Sequence, residues 1–228
     1  MSRLNSLLLV CLLAACSTDS PGTVEAAGEH TTTSTNLTPD EAAIHEAFAE
    51  LQTACKHLDG PGTRARLGSE TKAYWVRLRE LALHANKEEL QSEGPTVRLS
   101  VFVLRVKAGY EPIGELDEDG MIDYALRQGL FGRTMIVGKQ LGELEIDGDR
   151  AECAVTEAGE PKNIRFAFVR EDGIWRFDQT PIFEATNEIW STKIGREPDL
   201  DVDAYLFFLV GNATGNGGTD ELWKPLAE

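Results

Sequence analysis

The 228-residue chain is poor in positive charge: 22 Lys and Arg stand against 38 Asp and Glu, for a formal net charge of −16. So acidic a surface repels phosphate, which excludes nucleic acid as a partner and docking on anionic lipid through the protein surface. Histidine is scarce. His30, His45, His57 and His84 are the four present; no two stand four apart, and no Cys-x-x-Cys occurs, so no zinc site is expected. The chain also lacks a Gly-x-Ser-x-Gly elbow, a phosphate loop and a dinucleotide fingerprint, and no cofactor is expected. Asp199, Asp201 and Asp203 alternate as calcium-loop carboxylates do. However, Ala204 stands where the loop needs glycine and Val210 where it needs a bidentate Glu, so a helix cap is the simpler reading. Asp117-Glu118-Asp119-Gly120 reads as a solvated turn. No metal is expected.

Beyond residue 16 no apolar run approaches the roughly 20 residues of a membrane-spanning helix. At the N-terminus, Met1-Ser2-Arg3 carries one positive charge and an apolar run follows at 7–16, the layout of a secretory signal peptide. The run ends in Leu13-Ala14-Ala15-Cys16, which resembles the lipobox of bacterial lipoproteins. That resemblance implies removal of residues 1–15 and acylation of Cys16. Each buried methylene contributes about 0.8 kcal/mol, so two or more chains hold stably where one does not. The alternative is an ordinary signal peptide with Cys16 incidental. Ser17 lacks the Asp that retains such proteins in the inner membrane, so the resemblance places the protein in the bacterial cell envelope at the outer membrane. Residues 16–38 are rich in Ser, Thr, Gly and Pro and read as a flexible tether.

Residues 39–228 have the length of one domain. Thr38-Pro39-Asp40-Glu41 is a helix start, with a cap, a proline at the first position and acids at the positive end of the dipole. This helix is expected to run to 58 and end at Gly60-Pro61-Gly62. A second, with Ser69 as its cap, is expected to end near Gly94-Pro95. The stretch 97–106 is too densely apolar for its periodicity to decide, and 121–130 reads as another helix. Four strands are expected at 136–146, 150–156, 163–170 and 174–180, separated by glycine turns. Helices follow at 183–194 and 203–211, then a loop at 211–218 and a docking segment around Trp223. Helices first and a meander afterwards imply an α+β fold with the helices packed on one sheet face.

Two cysteines remain for the domain. Cys55 shares a helix face with Ile44, Phe48 and Leu51, and Cys153 alternates inward with Ala151 and Val155. Both point into the core. A Cys55–Cys153 disulfide and two separate buried thiols both fit this pattern in an oxidising compartment.

Four segments in order, RLSVFVLR at 98–105, YALRQG at 124–129, IDGDRA at 146–151 and FVREDGIWRFD at 168–178, resemble secreted bacterial proteins of the NTF2-like (SnoaL-like, cystatin-like) α+β type. The resemblance covers 39–181, leaving 182–228 as a C-terminal helical extension. It implies a helix at 97–106 and helices closing against a curved antiparallel sheet of about four strands to form a cone. That fold hosts enzymes and inert scaffolds alike. The expectation is a non-enzymatic domain binding a protein partner or a small apolar ligand, touching the membrane only through its N-terminal lipid. The alternative is an isomerase-like or dehydratase-like enzyme with an acidic residue inside the cone, for which Asp123 and Tyr124 are the catalytic candidates.

Overall fold

The computed structural model of the protein describes residues 37–109, 111–216 and 219–227. The expected signal peptide, Cys16 and the tether as far as residue 36 lie outside the described residues. No described helix is long and apolar enough to cross a membrane.

Helix α1 (Pro39–His57) begins as its sequence dictates. The Thr38 hydroxyl accepts from the Glu41 N–H and the Glu41 carboxylate accepts from the Thr38 N–H, closing a capping box with Pro39 in the first turn. The helix stops at Leu58, whose φ of 57° is left-handed. Gly60-Pro61-Gly62, expected as a terminator, instead opens a short helix, α2 (Gly60–Ala65), with Asp59 accepting from the Gly62 N–H. Proline is tolerated there because a first-turn N–H has no acceptor within the helix.

Helix α3 (Ser69–His84) corrects two further expectations. Gly68, not Ser69, is its N-cap; Ser69 is the first helical residue, and its N–H and hydroxyl both donate to the Glu171 carboxylate. The helix also ends at His84 rather than near Gly94. Asn86 then caps a separate short helix, α4 (Lys87–Ser92), in a capping box with Glu89. Residues 97–106 are helical, within α5 (Pro95–Ala108). Helix α6 (Glu118–Arg127) starts on Asp117, which accepts from the Gly120 N–H. The single turn α7 (Arg133–Ile136) takes the place of an earlier strand start.

The strands are β1 (Lys139–Asp147), β2 (Arg150–Glu157), β3 (Glu160–Glu171) and β4 (Ile174–Asp178), forming an antiparallel sheet in the order β1-β2-β3-β4. Two of the turns, Ala158-Gly159 and Asp172-Gly173, place both central residues at positive φ, as tight hairpins require. The edge of β4 is covered by the 66–68 segment: Leu67 bridges Phe177, and the Gly68 N–H donates to the Phe177 carbonyl at 2.9 Å. Two helices and a turn complete the chain: α8 (Thr180–Arg196), α9 (Val202–Thr214) and the 3₁₀ turn Asp220–Trp223. Helix α9 passes Gly211 and stops at Gly215, whose φ of 76° ends it. The fold is α+β, with one four-stranded antiparallel sheet and nine α-helices among the described residues.

Alternation sets the core face of the sheet. Ala151 pairs with Phe168, which pairs with Phe177, while Cys153 pairs with Phe166; all five are buried. Phe48 of α1 meets Phe166 and Phe168 edge-on at 5.6 and 6.1 Å, and Phe177 meets the same two rings at 5.1 and 5.8 Å. The space between α1 and the sheet is therefore filled with aromatic rings. Helix α5 packs against α3, α8 and α9. All four tryptophans, Trp75, Trp175, Trp190 and Trp223, are buried as core or docking residues.

Several ion pairs bind elements distant in sequence. Lys139 is buried; its ammonium donates to the Thr134 carbonyl and pairs with Glu157, which also meets Lys162 at 3.0 Å. The hydrogen bond from Lys139 holds the Glu157 carboxyl below the usual carboxylate range. A depressed carboxylate contributes stability above its unfolded pKa, about 4.3 for Glu, and that contribution is lost as pH falls through the folded value. The urea midpoint is therefore expected to fall on acidification below about pH 4. In Glu157→Gln the acid-induced fall should be shallower; an unchanged acid dependence would remove Glu157 from the account.

Candidate functional site

Asp123 and Tyr124, the catalytic candidates, are neighbours on α6 with different surroundings. Asp123 sits on α6, half-buried, and pairs with Arg64 of α2, whose Nε also lies 3.2 Å from Asp119. Hydrogen bonding to Asp123 raises the Arg64 pKa above its ordinary value. Gly60 explains how close the two helices come: a Cβ there would stand 2.2 Å from the Asp123 carboxylate. Asp123 thus fastens α6 to α2 at the protein's edge. Its neighbour Tyr124 points the other way and is wholly buried, with its hydroxyl unpartnered among the described residues. Burial pushes the Tyr124 phenol up to about 12, so it stays protonated throughout the physiological range. Neither residue lines the cleft described below.

The other flagged groups also have simple places. Asp201 caps α9 by accepting from the Ala204 N–H at 3.0 Å, and Asp203 pairs with Arg98 of α5. His57 and His84 are exposed and His45 is half-buried. Among the described residues no three His, Cys, Asp or Glu side chains are grouped to hold a metal ion. Cys55 and Cys153 both face the core, as their periodicity implies, and they are free thiols. Of the two arrangements the sequence left open, the structure has the separate thiols. Burial pushes Cys55 up to about 12 and Cys153 up to about 11, which suppresses the reactive thiolate.

A cleft lies on the helical side of the molecule, away from the sheet. It encloses about 60 Å³ between α3, α5, the 129–132 loop, α7 and the start of α8. Its walls are apolar: Trp75, Leu99, Val103, Phe131, Met135 and Phe183. Tyr74 stacks on Phe183 at 3.8 Å and steadies that wall. Trp75 and Phe131 meet edge-on at 6.5 Å. The 129–132 loop can turn into the cleft because Gly129 and Gly132 adopt φ of 70° and 94°. At Gly132 a Cβ would also stand 2.9 Å from a Leu126 methyl and 3.0 Å from the Cys55 sulfur, so any side chain is excluded there.

The polar groups of the cleft are few and uncharged: Thr96, Ser100, Thr134 and Gln179. Gln179 is 1 % exposed. Its Oε1 accepts from the Trp75 indole N–H at 3.3 Å, and its backbone N–H donates to the Thr71 hydroxyl at 2.8 Å. Thr96 is 5 % exposed, and its hydroxyl has no partner among the described residues. The lining holds no Asp, Glu, His, Lys, Arg or Cys, so the cleft can bind and orient a molecule but has no group poised to exchange a proton near neutral pH.

No family model, no curated protein and no solved structure matches this chain.

Sequence reasoning missed the cleft because its parts are far apart in the chain. Trp75 and Gln179 are separated by 104 residues, and neither belongs to a motif. The one local signal is Gly129 followed by Gly132, two glycines three residues apart just after α6.

The placement of the thiols gives a labelling result. Native protein at pH 8 should leave the Cys55 and Cys153 peptides unmodified by iodoacetamide, and unfolding without reductant should expose both to modification. A disulfide-linked peptide pair recovered from the unreduced digest would contradict the thiol assignment.

Proposed function

We propose that the protein is a lipoprotein of the bacterial cell envelope, held at the outer membrane by acyl chains on Cys16, whose domain is a non-enzymatic binding or scaffold module on an NTF2-like frame. The support for the anchor is the single Arg3, the short apolar run and the Leu13-Ala14-Ala15-Cys16 sequence, which agree with one another. Support for the frame comes from the order of helices before a meander, and from irregular register at Leu141/Leu144 in β1 and Ala154/Val155 in β2. Bulges of this kind bend strands and increase their twist, as a curved sheet requires.

The observation that carries the non-enzymatic reading is the make-up of the cleft. General acid–base catalysis needs a side chain with a pKa near the working pH within hydrogen-bond reach of the reacting atom. No cleft residue meets that need, and the region between α1 and the sheet, where a cone enzyme keeps its acid, is packed with Phe48, Phe166, Phe168 and Phe177. The isomerase or dehydratase alternative would require Asp123 or Tyr124 to reach a bound molecule. Asp123 is held by Arg64 and the Tyr124 hydroxyl is sealed in the core.

Tethering is tested by replacing the acyl acceptor. Cys16→Ala should move the protein from the membrane to the soluble fraction, since no described helix offers a second means of insertion. Retention of the variant in washed membranes at high salt would contradict the anchor.

A further inference from the structure

The cleft combines apolar walls with two buried polar groups, and we infer that it is a binding site for a small neutral molecule bearing one carbonyl oxygen, such as a ketone or amide. This assignment rests on the non-enzymatic binding reading and names its ligand class.

The donors define the head group. An indole N–H can only donate, so the bond from Trp75 fixes the Gln179 amide with its oxygen toward the indole and leaves its NH₂ as a donor. The Thr96 hydroxyl is a second donor, buried in the lining of the same cleft and without a partner among the described residues. A buried hydroxyl with no partner is destabilising, and an acceptor atom brought to it relieves that cost. Both residues line the same cleft, and an oxygen with two lone pairs can accept from two such donors. Helix α5 adds to this preference: its N-cap, Gly94, brings no side-chain hydrogen bond, so the first turn beside Thr96 keeps its positive end.

The rest of the lining defines the body. With no cation among the lining residues, a carboxylate or phosphate would be desolvated without a counter-charge, so the ligand is neutral. Trp75, Leu99, Val103, Phe131, Met135 and Phe183 offer contacts to carbon only, apart from the indole N–H already engaged by Gln179. One water needs about 10–15 Å³ of such space, so 60 Å³ accommodates an organic molecule of about four to six heavy atoms. The lining reaches the surface at Gly129, which is exposed, and at the half-buried Thr134, Ser100, Leu130 and Phe183. The site is formed by helices and one loop, with no strand residue in its lining, and is separate from the aromatic packing under the sheet.

Cyclopentanone is a suitable probe, and ¹³C-methyl methionine NMR of the purified mature protein reports on it directly. Met135 lines the cleft and Met121 is buried elsewhere in the core, so each spectrum carries its own control. Cyclopentanone should move the Met135 methyl resonance saturably and leave Met121 in place. Thr96→Val keeps the shape of the side chain and removes the hydroxyl, and should weaken binding about three- to tenfold. Cyclopentane, which lacks the oxygen, should bind the parent protein more weakly than cyclopentanone and be indifferent to Thr96→Val. An unmoved Met135, or equal binding of ketone and hydrocarbon, would overturn the assignment while leaving the anchored, non-enzymatic reading intact. Conversion of the ketone, followed in its own ¹H spectrum in the same tube, would overturn the non-enzymatic reading instead.

Discussion

The helical half of the protein depends on the buried guanidinium of Arg105. This residue of α5 is 4 % exposed. Its Nε donates to the Ala82 carbonyl at 3.0 Å, Nη1 to Leu222 at 2.7 Å, and Nη2 to Leu81 and Ala85 at 3.0 and 2.6 Å. Three of these oxygens belong to the end of α3 and the residue after it, where the dipole is negative; Leu81 also accepts from the Ala85 N–H at 3.1 Å, while Ala82 and Ala85 lie beyond the last acceptor within the helix. The fourth belongs to the C-terminal 3₁₀ turn. One side chain therefore joins α3, α5 and the chain's end. The backbone reinforces the union: Leu226 N–H donates to the Ala82 carbonyl and Ala227 N–H to Leu83. Lysine could not substitute, because a compact ammonium lacks the planar fork that reaches four oxygens at once.

From this clamp the rest of the helical layer follows. Trp223, carried by the clamped turn, packs edge-on against Phe102 at 4.9 Å and Phe207 at 6.0 Å. Arg98, two turns before Arg105 on α5, pairs with Asp203 of α9. Helix α5 is thereby held near both ends, and one of its faces, Thr96, Leu99, Ser100 and Val103, becomes one wall of the cleft. At the opposite side, the first turn of α1 is pinned to the sheet. Asp40 accepts from the Trp175 indole at 3.1 Å and from Arg170 at 2.8 Å, and Arg170 lies over the Trp175 ring at 4.9 Å. The FVREDGIWRFD hairpin is thus the fastening for the first turn of α1.

The four strands and their turns were legible because they obey short-range rules: a period of two, and glycine where φ must be positive. The start of α1 was legible for the same reason, since a capping box is complete within four residues. Misreadings came where tertiary partners overrule the local signal. Gly60-Pro61-Gly62 looks like a terminator, yet Asp59 as cap and Asp123 as neighbour make it a helix start. Ser69 looks like a cap, yet the carboxylate that serves α3 arrives from Glu171, 102 residues away. Helix α5 could not be told from a strand by its pattern because it is buried on nearly every side and so has no periodicity to display. Its helical state came from resemblance alone. The cleft was illegible because its polar groups acquire meaning only when Thr96, Trp75 and Gln179 are brought together.

Unfolding of Arg105→Met tests the dependence most directly. Methionine fills much of the same volume without donors, leaving the carbonyls of Leu81, Ala82, Ala85 and Leu222 without the guanidinium. Measured by urea denaturation, the variant is expected to lose about 3–5 kcal/mol, with Arg105→Lys intermediate. A methionine variant within about 1 kcal/mol of the parent would contradict the claim that this clamp organises the helical layer.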